Sequence, residues 1–371
     1  MKGMEKMKSW KKQAAFFAAA MLITAQVFAG GAGQRQEAGT SPQATRAITD
    51  MGGARVELPG KVTKVIDLWH ANNQMVLLLG GADTLIGTTT VVKGLPWFAR
   101  IYPRISEVKP YTLQTGTGGY NTEEIMMARP DVVIVSGPQD AEILRNAGIT
   151  TAMVTFRDFD GLRQTVTTTA GILGGNAPAK AEEYLRYLDN NIKRVQDRVK
   201  DLKQDEKLKV YEIRGVNPLD TDGRISICTE WLDAAGGINA IAGATDENQA
   251  TVTMEAVLQA NPDVIIVAVQ NAAGANGSEA IIERIKTDRA WSSIPAVKNN
   301  RIYANPVGTF LWARYSCEEA LQVLWTGKIL YPDRFRDIDM VKELQGFYKQ
   351  FYNYDMSAPE AELMLAGKDP Q

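Results

Sequence analysis

The sequence predicts an α/β protein of two Rossmann-like lobes joined by a single long helix. Three observations carry that expectation. Short apolar runs alternate with helical patterns along most of the chain, which implies α/β units on a mainly parallel sheet. A capping residue and an early proline, Asn176-Ala177-Pro178, open one long amphipathic stretch near the middle. A segment also recurs at an offset of 132 residues: TEEIMMARPDVVIVS from Thr122 to Ser136, and MEAVLQANPDVIIVA from Met254 to Ala268.

Val62–Leu68, Asp131–Ser136 and Ala152–Thr155 read as strands, and Asn72–Leu79, Thr122–Ala128 and Ala141–Ala147 as helices. The same alternation resumes at Lys209–Ile213 and runs past Ile302-Tyr303. Between the two runs, Ala181, Tyr184, Leu185, Leu188, Ile192, Val195, Val199 and Leu202 recur mostly at spacings of three and four, with charged residues between them. That is one helix with a narrow apolar stripe. At about 1.5 Å per residue it reaches roughly 40 Å, long enough to bar two small lobes. Each lobe also carries a Gly-Gly element, Gly80-Gly81 and Gly236-Gly237, followed by a further glycine, Gly87 or Gly243. The expected division is a signal peptide at 1–29, a flexible leader at 30–45, a first lobe at 46–175, the helix at 176–204 and a second lobe at 205–371.

The 371 residues hold 41 basic and 43 acidic side chains, one histidine and two cysteines. One histidine excludes a multi-histidine zinc or di-iron site, and two cysteines exclude a four-cysteine zinc site or an unaided iron–sulfur cluster. The near-neutral charge gives no general reason to bind nucleic acid. Met1 to Lys12 carries five lysines and one glutamate, ahead of the apolar stretch Ala14–Ile23 and the small-residue site Val27-Phe28-Ala29. This is the pattern of a secretory signal peptide, and the apolar run is well short of the roughly 20 residues that span a bilayer. Without residues 1–29 the count is 36 basic against 42 acidic. No cysteine stands near the cleavage region, so a free protein in the periplasm is expected rather than a lipoprotein. Residues 30–45 are small and polar and read as leader. Cys228 and Cys317 enter an oxidising compartment either as a disulfide or as two buried thiols; their spacing does not decide between these.

With these residues assembled, the chain resembles the periplasmic binding proteins of iron-siderophore and vitamin B12 ABC transporters, over roughly residues 46–355. The resemblance rests on the two elements in which a glutamate precedes Pro-Asp-Val and a strand. It rests also on Trp312-Ala313-Arg314-Tyr315-Ser316, Leu324-Trp325 and Tyr331-Pro332-Asp333-Arg334-Phe335. It implies the class III fold of that group, a monomer, and a permease partner at the inner membrane. It further implies that a glutamate on each lobe pairs with permease arginines, and Glu123 and Glu255 match those positions. As helix first-turn acids they are also favoured by the helix dipole; Glu124 rather than Glu123 fits a capping box with Asn121.

Ligands of such a fold sit where loops leave the carboxyl ends of the strands. The candidate ligand-binding residues there are Trp69, His70, Trp97, Arg100, Tyr102, Arg214, Trp312, Arg314 and Tyr315. Arginine supplies fixed donors to anionic oxygens, and aromatic rings cover flat apolar surface. This chemistry suits a ferric siderophore or similar anionic metal chelate. His70 is either an axial nitrogen donor or a hydrogen-bonded wall residue, and the phenols of Tyr102 and Tyr315 are candidate oxygen donors. With no histidine or cysteine cluster, the metal is expected to arrive inside an organic ligand, and no cofactor is expected. The run Gly116-Thr117-Gly118-Gly119 has neither P-loop nor Rossmann spacing and reads as a turn. The competing functions are an exported chelate-processing enzyme, reductase or hydrolase, a ligand sensor, and a binder of cobalamin, haem or a nickel or cobalt chelate. The sequence has no Gly-x-Ser-x-Gly elbow and too few histidines for the usual base, which disfavours the enzyme.

Overall fold

The computed structural model describes residues 45–112, 119–269 and 277–371. The expected signal peptide and most of the leader lie outside them, as does Gly116-Thr117-Gly118. The described chain opens on an antiparallel hairpin, β1 (Thr45–Thr49) and β2 (Arg55–Pro59). The first lobe follows as β3 (Val65–Asp67), α1 (Asn73–Leu78), β4 (Leu85–Thr89), α2 (Thr90–Lys93), α3 (Pro96–Ile101), β5 (Lys109–Tyr111), α4 (Thr122–Ala128), β6 (Val132–Val135), α5 (Pro138–Asn146) and β7 (Thr151–Met153). Its five strands are all parallel in the order β5-β4-β3-β6-β7. The order reverses direction between β3 and β6, and in such sheets that switch point is where ligands bind.

α6 (Phe159–Leu173) and α7 (Ala177–Val199) lead out of the lobe. The second lobe holds β8 (Lys209–Ile213), β9 (Asp220–Thr221), α8 (Ile227–Ala234), β10 (Ile238–Asn239), β11 (Ala250–Thr251), α9 (Met254–Ala260), β12 (Val264–Val267), α10 (Gly277–Thr287), α11 (Pro295–Lys298) and β13 (Ile302–Ala304). Its parallel sheet runs β10-β8-β12-β13, with β9 and β11 paired antiparallel beside it. Its switch point falls between β8 and β12. The chain closes with α12 (Glu319–Leu330), α13 (Met340–Tyr352) and α14 (Ala358–Leu365).

The 132-residue repeat is structural. α4 and α9 occupy equivalent residues, each ends on a left-handed residue (Arg129, φ 49°; Asn261, φ 50°), and each feeds a buried strand, β6 or β12. The aspartates of the two Pro-Asp pairs do the same work. Asp131 Oδ2 accepts the Lys64 N–H ahead of β3, and Asp263 Oδ2 accepts the Lys209 N–H that starts β8, both at 2.9 Å. The Gly-Gly elements are matching helix ends. Gly80 (φ 80°) and Gly236 (φ 76°) take the left-handed turn, and the next glycine N–H returns to Val76 O or Leu232 O. Gly87 and Gly243 are not equivalent: a side chain at Gly87 would strike Tyr111 and Ile66 inside the sheet, whereas one at Gly243 meets open space.

α7 is the expected amphipathic helix. Ala177, Ala181, Tyr184, Leu188, Asn191, Ile192, Val195 and Val199 are buried, packed on α6 and α12. It stops at Val199, short of Leu202, and its 23 residues give about 35 Å. Side-chain alternation divides each sheet between two cores. Val132 and Ile134, like Val264 and Ile266, enter one core shared by both lobes with α7 and α12. Val133 and Val135 enter a core private to the first lobe, and Ile265 and Val267 one private to the second. The chain after Met340 differs from its expected place wholly within the second lobe. α13 packs on α1, the Trp97 indole N–H donates to Lys368 O (2.8 Å), and Lys368 Nζ reaches Glu279 on α10 (2.8 Å). The tail touches both lobes because Trp97 and Val307 offer it apolar cover and backbone bonds, with Val307 N–H donating to Met364 O.

Candidate functional site

The turn after β3 is fixed from below. Asp67, fully buried, accepts the Trp69 N–H (3.1 Å) and Asn72 Nδ2 (2.9 Å), and Asn72 Oδ1 accepts from Thr169 Oγ1 (3.0 Å). Burial pushes the Asp67 carboxyl up to about 8, against the pull of those two donors. So held, Trp69 meets Phe156, from the loop after β7, and Tyr315, from the loop after β13. Ring centroids are 5.8 Å apart for Trp69–Phe156, 6.0 Å for Trp69–Tyr315 and 5.5 Å for Phe156–Tyr315. Two residues of one lobe thus close against one of the other, in tilted and edge-on geometry.

Tyr315 is the strained member, with φ of +60° in a region bulky side chains rarely adopt. Its carbonyl accepts Gln74 Nε2 (3.1 Å) and its phenol oxygen accepts Asn248 Nδ2 (2.7 Å). Gln74, buried on α1, also accepts the Cys317 N–H at 3.0 Å through Oε1. One side chain of the first lobe therefore fixes the backbone of the second lobe's site loop. His70 lies against Phe310, with centroids 5.5 Å apart, and burial lowers its pKa, leaving a neutral imidazole with a free lone pair at neutral pH.

Beneath Tyr315 lies a buried charge cluster. Arg314 Nη2 stands 3.5 Å from Glu212 Oε1, and Arg214 Nε 3.4 Å from Asp222 Oδ1. Burial, reinforced by Asp222, pushes the Glu212 carboxyl up. Burial pulls Arg314 down, but Asp222 and Glu212 outweigh it. Two guanidiniums and two carboxyls thus share the buried floor, and burial raises both carboxyls. Arg214 alone of the two is half-exposed, with Nη2 donating to Gln249 Oε1 (2.7 Å).

Trp69, His70 and Tyr315 thus gather where the loops after β3 and β13 meet, and Arg214 joins them through its carbonyl, which accepts from Arg314. Five other expected ligand contacts do not. Trp97 on α3 and Trp312 in the loop after β13 are shut in the core, at 1% and 0% exposed, since both pack into the core the lobes share. Tyr102 donates its hydroxyl to Ala82 O (2.9 Å), at the end of β4 opposite the cleft. Arg100 points outward to Glu360 (3.1 Å) on α14. Arg314 is buried, with Nη2 turned to Glu212 and to the Arg214 carbonyl. Cys228 and Cys317 are two buried free thiols. Phe156 was missed, although it directly follows a strand expected at Ala152–Thr155; Asn248 and Gln74 carry no signal, since distant loops and helices bring them to Tyr315.

Glu123 and Glu255 are exposed at the first turns of α4 and α9. Asn121 Oδ1 accepts the Glu124 N–H (3.2 Å), but the Glu124 carboxylate turns to Lys109 (2.8 Å), so only half of the capping box forms.

Residues 66–306 match the family described as periplasmic binding protein. The chain belongs to that family. Among curated relatives of this periplasmic binding protein is the molybdate-binding protein MolA of Haemophilus influenzae, 25% identical over 339 residues that span 84% of this chain and 92% of the relative. Another is the uncharacterized ABC transporter substrate-binding lipoprotein YvrC of Bacillus subtilis, 26% identical across 88% of this chain and 100% of the relative. A periplasmic solute-binding protein from Veillonella parvula shares the fold with a TM-score of 0.72 at 23% identity, covering 87% of this chain and 97% of that one. Helicobacter pylori CeuE, solved with Ni(II), does so with a TM-score of 0.70 at 18% identity, covering 86% and 99%. This periplasmic binding protein is the solute-binding component of an ABC transporter, not an enzyme. No helix among the described residues is long and apolar enough to cross a membrane.

Proposed function

We propose that the protein, exported by its N-terminal signal and working free in the periplasm, captures an anionic metal chelate between its lobes and hands it to an ABC permease. A ferric siderophore is the first candidate. The observation that carries this reading is the cross-lobe triangle of Trp69, Phe156 and Tyr315 over the Arg214–Arg314 floor. Rings suit the organic shell of a chelate, and the half-exposed Arg214 guanidinium suits its acidic oxygens. No group of three or more His, Cys, Asp or Glu stands ready for a bare cation among the described residues, so His70 and the Tyr315 phenol supply at most one or two further donors. Glu123 and Glu255 dock the two lobes on the permease, where paired charges set orientation. A second reading, a bare metal oxyanion, is favoured by the similarity to MolA.

Tryptophan-fluorescence titration against ferric catecholate, ferric hydroxamate, haem, cobalamin, nickel-histidine and molybdate tests the choice. A ferric chelate should quench with one-to-one stoichiometry and be recovered unchanged. Tyr315→Phe should weaken it about tenfold by losing the phenol oxygen, while Trp312→Phe, deep in the core, should not. Tightest binding of molybdate would replace the chelate with an oxyanion, and binding of none of the six would remove the cleft assignment.

A further inference from the structure

The helices that carry Glu123 and Glu255 expose more than their carboxylates. Met126 is 51% exposed and Met127 83%, and Leu258 is 40% exposed; these are half of the large hydrophobic side chains most open to solvent among the described residues. Met126 and Leu258 occupy the same position of the 132-residue repeat and lie three residues after their glutamates, on the same helical face. Each helix needs only one buried side chain to seat it, Ile125 in α4 and Val257 in α9. Folding therefore gives no reason for the exposed apolar residues, and both lobes repeat the one at Met126 and Leu258. Glu123 and Glu255 themselves form no ion pair among the described residues, whereas the adjacent Glu124 is occupied by Lys109.

We infer that Met126 and Leu258, with Met127 beside the first, are the apolar anchors of permease docking. The partner then presents two matching sockets, one per lobe, each with an apolar wall beside a basic group. This rests on the docking reading above. Methionine suits such a role because its unbranched thioether adapts to an irregular wall. Anchors of this kind carry most of an interface's energy, while exposed charges steer and orient. Equivalent anchors on two related lobes call for a partner with two-fold or pseudo-two-fold symmetry.

The test measures binding of the full chain to its permease–ATPase complex in lipid nanodiscs, at low salt and at about 0.5 M salt, where screening suppresses exposed charge pairs. Met126→Ser/Leu258→Ser should weaken binding about tenfold at both salt concentrations, with melting temperature and ligand affinity unchanged, and Met126→Leu should bind like the parent. Glu123→Gln/Glu255→Gln should weaken binding mainly at low salt. If the serine variant binds within about twofold of the parent while the glutamine variant does not, the anchors are refuted and the charged dock stands. If neither variant changes binding, the docking reading falls and the inference with it.

Discussion

Tyr315 shows how much a single residue concentrates in this molecule. Its left-handed backbone costs about 1–3 kcal/mol, which persists only where surrounding structure over-determines it. Gln74 on its carbonyl, Asn248 on its phenol and two aromatic neighbours supply that determination. Its place in the site loop was legible because the loop follows the strand at Ile302-Tyr303; its strain and its partners were not. Both depend on contacts distant in sequence, Gln74, Trp69 and Phe156 from the other lobe and Asn248 from its own. Asp67 carries the pH dependence. Its folded carboxyl titrates near 8 against an ordinary 3.8, so the folded chain keeps a proton that the unfolded chain releases between those values. Its contribution to stability therefore declines as pH rises from about 4 to about 8 and is lost above it. Melting temperatures taken from about pH 5 to 8 should fall less steeply in Asp67→Asn than in the parent, by roughly 2–4 °C for each kcal/mol of linkage removed. An identical slope in both proteins would assign the dependence to other groups, Glu212 first among them.

At the scale of elements, α1 is short but joins the lobes. Gln74 Oε1 accepts Cys317 N–H from the loop ahead of α12, and Nε2 donates to Ala71 O and Tyr315 O. Gln74→Ala would strand the buried Cys317 donor and cost about 1–3 kcal/mol, with weaker ligand binding as the Tyr315 loop loosens. Chemical denaturation with ligand titration checks both; unchanged stability would mean that water replaces the amide. α7 was legible from its stripe, and its end was not. Leu202 keeps the apolar spacing, but helix geometry stops at Val199 and Leu202 N–H closes a turn onto Val199 O. The strand expected at Val62–Leu68 shortens to Val65–Asp67 for a related reason: Asp131 takes the N–H groups of Thr63 and Lys64 ahead of the ladder.

Across the whole molecule, one core runs through both lobes, α7 and the C-terminal helices. Met364 on α14 is fully buried in it, and its carbonyl takes Val307 N–H from the site's own loop. Met364→Ala should destabilise the protein by about 2–4 kcal/mol, because a cavity opens where the tail meets the loop after β13. Thermal unfolding checks this, and a change below about 0.5 kcal/mol would show that the tail adds little to the shared core. Local periodicity, capping and a fixed offset were enough to make the α/β units, the repeat and the long helix legible in the chain itself. Trp69, His70 and Arg214 stood out because they closely follow strands, and Tyr315 because it lies in the long loop after β13. Tertiary structure alone decided that Trp97, Trp312 and Arg314 are buried, that Arg100 and Tyr102 face away, and that Phe156 and Asn248 complete the site. Burial and cross-lobe contact depend on how distant segments pack, and no local pattern of residues encodes that.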